Sequence, residues 1–146
     1  MINNKSIIFV LTIVSLVIVF LFWSGESARY PTGGTNIVVF GDSIATGVGA
    51  SKGKDIASRL TIYLNTEVIN LGVSGDTTGE ALLRIEKLIE TDPKIAVIIV
   101  GGNDAIRKLP IEETFLNLEK IIVRLEEHGT AVVLVVEPGG LYGCSF

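Results

Sequence analysis

Three residues of this chain carry groups that an acyl-transfer reaction needs, and each stands just past an apolar run. Ser43 follows Asn36-Ile-Val-Val-Phe-Gly-Asp. Its hydroxyl can attack a carbonyl carbon if something removes its proton. Gly72 follows Glu67-Val-Ile-Asn-Leu. Lacking a Cβ, it lets a substrate oxygen approach a bare backbone N–H. Asn103 follows the run Ile95 to Val100 and two glycines. Its neutral amide can stabilise an oxyanion without a counter-charge. Taken singly, these are ordinary turn residues, and a lone Gly-Asp-Ser reads as a turn. In register after successive strands they read as a site.

The elements that must position them follow from periodicity. The runs rich in Ile, Val and Phe read as buried strands, and Ile95 to Val100 is the continuous apolar type of a central parallel strand. The glycines at the strand ends fall at 41, 72 and 101, intervals of 31 and 29 residues. That is the size of one βαβ unit. Right-handed crossovers then bring all three loops to one edge of the sheet, where ligands bind in open α/β folds. Residues 44–54, with Gly47, Gly49 and Gly53, read as a loop. A helix is expected from Asp55 to Asn65. Asp76 or Thr77 caps a second helix, with Leu82, Ile85 and Ile89 as its apolar stripe and Asp92-Pro93 as its stop. A third carries Ile111, Phe115, Leu118, Ile122 and Leu125, and His128-Gly129 closes it. Ala131 to Val136 reads as a fourth strand. The expected fold is a three-layer α/β/α sandwich with a parallel sheet, flavodoxin-like, over residues 36–146.

Composition narrows the partners. With 12 basic and 16 acidic residues the chain has a formal charge of -4, which does not suggest nucleic acid. The single cysteine, Cys144, excludes an internal disulfide and a cysteine metal cluster. No metal and no cofactor are implied. Ile7 to Trp23 is an uncharged apolar block after a short N-terminus of residues 1–6. It would span roughly 25 Å as a helix, near the short limit for a bilayer. Trp23 suits an interfacial anchor, and Lys5 favours an N-terminus in the cytoplasm with the domain outside. A cleaved signal peptide is the competing reading; the apolar core is longer than usual and no clean cleavage site follows. Either exports the domain. Ser24 to Thr35 is the linker.

Gly41-Asp42-Ser43, then Asn70-Leu-Gly-Val-Ser-Gly-Asp-Thr-Thr78, then Gly101-Gly-Asn-Asp104 resemble blocks I, II and III of the GDSL, or SGNH, hydrolase family. Within it they are most similar to the bacterial multifunctional esterases that act as arylesterase, thioesterase and lysophospholipase. The resemblance covers about Thr35 to Gly143. It implies that Ser43 is the nucleophile. The backbone N–H of Ser43, that of Gly72 and the side chain of Asn103 would form the oxyanion hole. Asp42, counted with the substrate-binding residues, would hold the nucleophile turn by hydrogen bonding. The loop at Glu137 to Tyr142 would border the acyl pocket. The implied substrates are small esters or lysolipids, with carbohydrate deacetylation also within the family's range.

One block of the family has no counterpart here. Its Asp-x-x-His, which supplies a general base and an orienting acid, is absent, and the sequence ends at Phe146. His128, in Glu126-Glu127-His128-Gly129, reads as a helix-end residue favouring the helix dipole. The chain therefore reads as the first two-thirds of such a hydrolase, with a tail that fits a truncation or frameshift. The expectation is an esterase by ancestry whose present chain lacks its base and is an inactive fragment, its fourth strand left as an apolar edge. The rival is a phosphate- or nucleotide-binding module built on Gly47-Val-Gly49. The fuller glycine signatures of such loops are absent, as is the Gly-x-Ser-x-Gly elbow of the α/β-hydrolases. Asp76, Asp104 and Ser74 read as structural.

Overall fold

The computed structural model describes residues 33–135. Four strands, β1 (Asn36–Gly41), β2 (Val68–Gly72), β3 (Pro93–Ile99) and β4 (Ala131–Leu134), form one parallel sheet in the order β2-β1-β3-β4. The helices are α1 (Ser43–Thr46), α2 (Ile56–Leu64), α3 (Thr78–Leu83), α4 (Ile85–Ile89), α5 (Gly102–Ile106) and α6 (Ile111–Glu127). Gly41 is level with Gly72 on one side and Ile99 on the other. The carboxyl ends of the three strands are thus flush, and their loops share an edge.

Alternation along the strands builds a core on each face, since successive Cβ atoms point to opposite sides. Val38 and Phe40 of β1, with Ala96 and Ile98 of β3, face Ala81, Ile85 and Leu88 of α3 and α4 and Ile121 and Leu125 of α6. Val39 and Ile99 face the other way, onto Ala45 of α1 and Ala57 of α2. Each large side chain so buried contributes about 1.5–3 kcal/mol. The result is the expected three-layer sandwich.

The local departures have identifiable causes. The stretch expected as a loop from residue 44 begins with a helical turn, α1, because Asp42 caps it. The second helix is two, broken at Arg84 with φ -112 and ψ 16. β3 starts at Pro93 instead of Ile95, which a strand's first position tolerates because proline lacks only the N–H. The buried face of α6 is Thr114, Asn117, Ile121 and Leu125, while Phe115 is 63% exposed. Leu125 of the expected stripe is buried and Leu118 packs against the core, but hydrogen bonds at Thr114 and Asn117 bring those polar residues inward in the first half of the helix. The apolar block 7–23, the linker as far as residue 32, and Glu137 to Phe146 lie outside the described residues. Among the described residues no helix is long and apolar enough to cross a membrane.

Candidate active site

The first loop is a cap and a single turn of helix. Asp42 Oδ1 accepts from Ile44 N at 3.0 Å, and its carbonyl accepts from Thr46 N and Thr46 Oγ1, each at 2.9 Å. Capping of this kind answers backbone N–H groups that a helix leaves open at its start. Asp42 N donates to Ile99 O at 3.0 Å, binding the loop to the end of β3. Only 3% of Asp42 is exposed. It acts on the turn from within, as a cap, which is the hydrogen-bonding role expected of it. Ser43 is the first residue of α1 and half-buried. Its hydroxyl and backbone N–H make no hydrogen bond among the described residues. The sequence signal for α1 was present: an Asp before Ser43 and a glycine, Gly47, in the left-handed conformation that ends it.

In the second loop Gly72 is already engaged. Its N–H donates to Asn70 Oδ1 at 2.9 Å, while Asn70 Nδ2 donates to Ala45 O at 2.9 Å. A Cβ on Gly72 would lie 2.3 Å from Thr46 N. The missing side chain makes room for α1, and the N–H assigned to an oxyanion is already engaged by a neighbour. Asn70, which periodicity marks only as a strand residue, ties the end of β2 to α1. Farther along, Asp76 N donates to Val73 O at 3.2 Å to close a turn, with Gly75 at φ 93. Arg107 Nη2 holds the Gly75 carbonyl at 2.7 Å, and the Gly75 N–H makes no hydrogen bond among the described residues.

The third loop is laced to the second. Asn103, in α5, donates from Nδ2 to Asp76 O at 2.9 Å. Its neighbour Asp104, 1% exposed, accepts from Thr78 N at 2.8 Å, Thr78 Oγ1 at 2.5 Å and Thr114 Oγ1 at 3.3 Å. Asn117 Nδ2 reaches Thr78 Oγ1 at 3.3 Å. A buried carboxylate needs such partners, which is why α6 turns Thr114 and Asn117 inward. Thr77 caps α3 in a capping box with Glu80. Bonds from the Thr77 backbone and hydroxyl, then Arg107, hold the Glu80 carboxyl below the ordinary glutamate range.

The structure therefore brings Ser43, Gly75 and Asn103 to one edge. An attacking oxygen and two candidate donors, one a backbone N–H and one a side-chain amide, suit the stabilisation of a developing oxyanion. His128 is elsewhere. It ends α6, with Nδ1 3.1 Å from Thr130 Oγ1 and Nε2 3.9 Å from Asp92 Oδ1. Thr130 Oγ1 in turn donates to Pro93 O, at the amino end of β3. A six-residue strand separates the two edges by about 20 Å. Among the described residues no three His, Cys, Asp or Glu side chains are grouped to hold a metal ion.

Comparison with known proteins agrees with this layout. The arylesterase of Vibrio mimicus is 31% identical over 129 residues, covering 84% of this chain and 62% of that protein. Esterase TesA of Pseudomonas aeruginosa is 30% identical over 105 residues, covering 68% of this chain and 52% of that one. The chain thus spans less than two-thirds of the length of either relative. The crystal structure of AlinE4, an SGNH-hydrolase family esterase, superposes with a TM-score of 0.63 at 35% identity, over 69% of this chain and 59% of that one. Residues 39–145 match the GDSL-like Lipase/Acylhydrolase family, a span that starts within β1 and takes in all three strand-end loops, and the chain belongs to that family.

Proposed function

We propose that the strand-end site is that of a serine ester hydrolase acting on carboxylic esters, with Ser43 as nucleophile. The observation that carries this reading is Ser43 itself, the first residue of a capped helical turn at the end of β1, its hydroxyl without a partner among the described residues and on the same sheet edge as the loop that anchors Asn103. Attack by Ser43 Oγ on an ester carbonyl would place negative charge on the carbonyl oxygen. The Asn103 amide, the Ser43 N–H and the Gly75 N–H are the donors we assign to it; Gly72 then serves to let α1 approach. The substrate class we assign is aryl and alkyl esters, in keeping with the names of the arylesterase and esterase relatives; lysolipids belong to the same proposal. Export of the domain, tethered or released through residues 7–23, is part of the same reading.

His128, the chain's single histidine, is at the wrong edge to take the Ser43 proton. Among the described residues no imidazole reaches Ser43, so its proton passes to solvent as the acyl ester forms, and both that step and the later attack of water are slow. An activated ester tests this directly, because nitrophenolate leaves without a general acid. Incubation with p-nitrophenyl butyrate, acid quenching and peptide mass spectrometry should locate a butyryl group on Ser43. Ser43→Ala should lose the acyl group and the accompanying release of nitrophenolate, while His128→Ala should keep both. Acylation that bypasses Ser43, or that disappears with His128, would remove the assignment.

A further inference from the structure

Arg84 lies at the break between α3 and α4, where a long cationic side chain ordinarily extends to solvent. This one turns inward, with its side chain 16% exposed. All three guanidinium nitrogens donate. Nε reaches Asp76 Oδ2 at 2.5 Å, Nη1 reaches Leu71 O at 2.7 Å, and Nη2 reaches Gly41 O at 2.8 Å. Its Cζ stands 4.1 Å from the centre of the Phe40 ring, within the range of a cation–π contact.

The three acceptors belong to the site's framework. Gly41 is the last residue of β1, two before Ser43. Leu71 is at the end of β2, where the second loop begins. Asp76 faces both ways: its carboxylate receives Arg84, and its carbonyl receives Asn103 Nδ2 at 2.9 Å. One planar fork therefore spans the loop that carries Ser43 and the loop that holds Asn103. Lysine offers a single flexible ammonium and cannot reproduce three divergent bonds in fixed geometry.

We propose that Arg84 is a positioning residue for the ester hydrolase site, setting the separation between the Ser43 hydroxyl and the Asn103 amide without touching substrate. The inference rests on the esterase reading for its catalytic meaning, and on geometry alone for its structural content. A misplacement of about 1 Å at such a site costs about 10²-fold. The bond that forms more slowly is the acyl ester at Ser43; substrate binding, which Arg84 does not contact, is left as it was.

The experiment uses the full chain as wild type, Arg84→Lys and Asp76→Asn. The acylation rate and the apparent dissociation constant for p-nitrophenyl butyrate are taken from the nitrophenolate burst. Amide resonances of Ser43 and of the Asn103 side chain are followed by nitrogen-15 NMR, with Ile121 and Leu125 as reporters of the core. Arg84→Lys should slow acylation about 10²-fold at unchanged substrate affinity, with the Ser43 and Asn103 signals shifted and the core signals in place. Asp76→Asn, which keeps an acceptor for Nε, should show a smaller fall of the same kind. A folded Arg84→Lys protein with unmoved Ser43 and Asn103 signals, or with weakened affinity at a normal acylation rate, overturns the proposal. If Arg84→Lys does not fold, Asp76→Asn decides by the same two readouts. If the wild type shows no burst, the esterase reading fails for this chain and the NMR comparison still decides whether Arg84 sets the two groups.

Discussion

The two edges of the sheet are made from the same residue types, put to different ends. At the amino edge, Asn36 Nδ2 donates to Thr91 O at 2.6 Å, Thr130 Oγ1 to Pro93 O at 2.8 Å, and Thr35 N and Asn36 N both to Asp92 O. His128 is joined to Thr130. These side chains answer backbone groups and close the fold where the chain comes in. At the carboxyl edge, Asn103 makes one bond of the same kind, to Asp76 O, yet it shares that edge with groups that have no partner among the described residues, the Ser43 hydroxyl and the Gly75 N–H. Residue type does not separate a structural amide from a functional one. Position at the carboxyl ends of parallel strands does.

The largest expected effect breaks the comparison at its two asparagines. Asn103→Ala should slow acylation of Ser43 by about 10²–10³-fold, the usual cost of one oxyanion donor, besides removing about 1 kcal/mol of stability with its bond to Asp76 O. Asn36→Ala should remove a similar ~1 kcal/mol, the scale of one intramolecular hydrogen bond, while leaving acylation within about twofold. Burst kinetics and urea unfolding on both variants read the two effects. Equal losses of acylation would erase the distinction between the edges.

A second pair uses glycines that meet backbone at each edge. A Cβ on Gly72 would lie 2.3 Å from Thr46 N, and one on Gly34 2.3 Å from Pro93 O. Gly34 is also at φ +71. Alanine at either position forces a backbone shift and should cost about 2 kcal/mol or more. Only Gly72→Ala displaces α1, so only that variant should lose acylation beyond its loss of stability. Comparable acylation in the two folded variants would mean that α1 does not need its close approach to β2.

Much of this was legible in the sequence because it rests on patterns that the chain repeats. The strand-end glycines at 41, 72 and 101 gave the sheet edge, and alternating burial of Val38, Val39 and Phe40 is what a strand inside two helical layers requires. What stayed hidden rests on single contacts between distant residues. The Asp104–Thr78–Thr114 group brings Thr114 inward and leaves Phe115 exposed at the start of α6, while Leu118 and Leu125 of the apolar stripe stay on the core; nothing in the spacing of Phe115 foretells the difference. Gly72 reads as a close-approach glycine, and the group that fills the space of its missing Cβ is Thr46, from a different segment. Arg84 left a faint signal, a lone cation between Leu83 and Ile85 in an apolar stretch. Its three acceptors come from segments up to 43 residues away, which periodicity cannot connect.

The smallest effect sharpens the comparison through charge. At the carboxyl edge Glu80 is held by Thr77 N at 2.8 Å, Thr77 Oγ1 at 2.9 Å and Arg107 Nη1 at 3.2 Å, and these partners lower its carboxyl below the ordinary range. A carboxylate with a depressed folded value stabilises the native state above its unfolded value of about 4.3, and that contribution disappears as pH falls through the folded value. Glu80→Gln should therefore melt slightly below wild type at neutral pH, and the gap should close on acidification below about pH 4.3. The amino edge supplies the control, because the Asn36 amide does not titrate and the deficit of Asn36→Ala should contain no such step. Melting temperatures of the three proteins between neutral and acid pH make the test. A Glu80→Gln gap that persists unchanged into acid would show that the capping box works through hydrogen-bond geometry with no part for the charge.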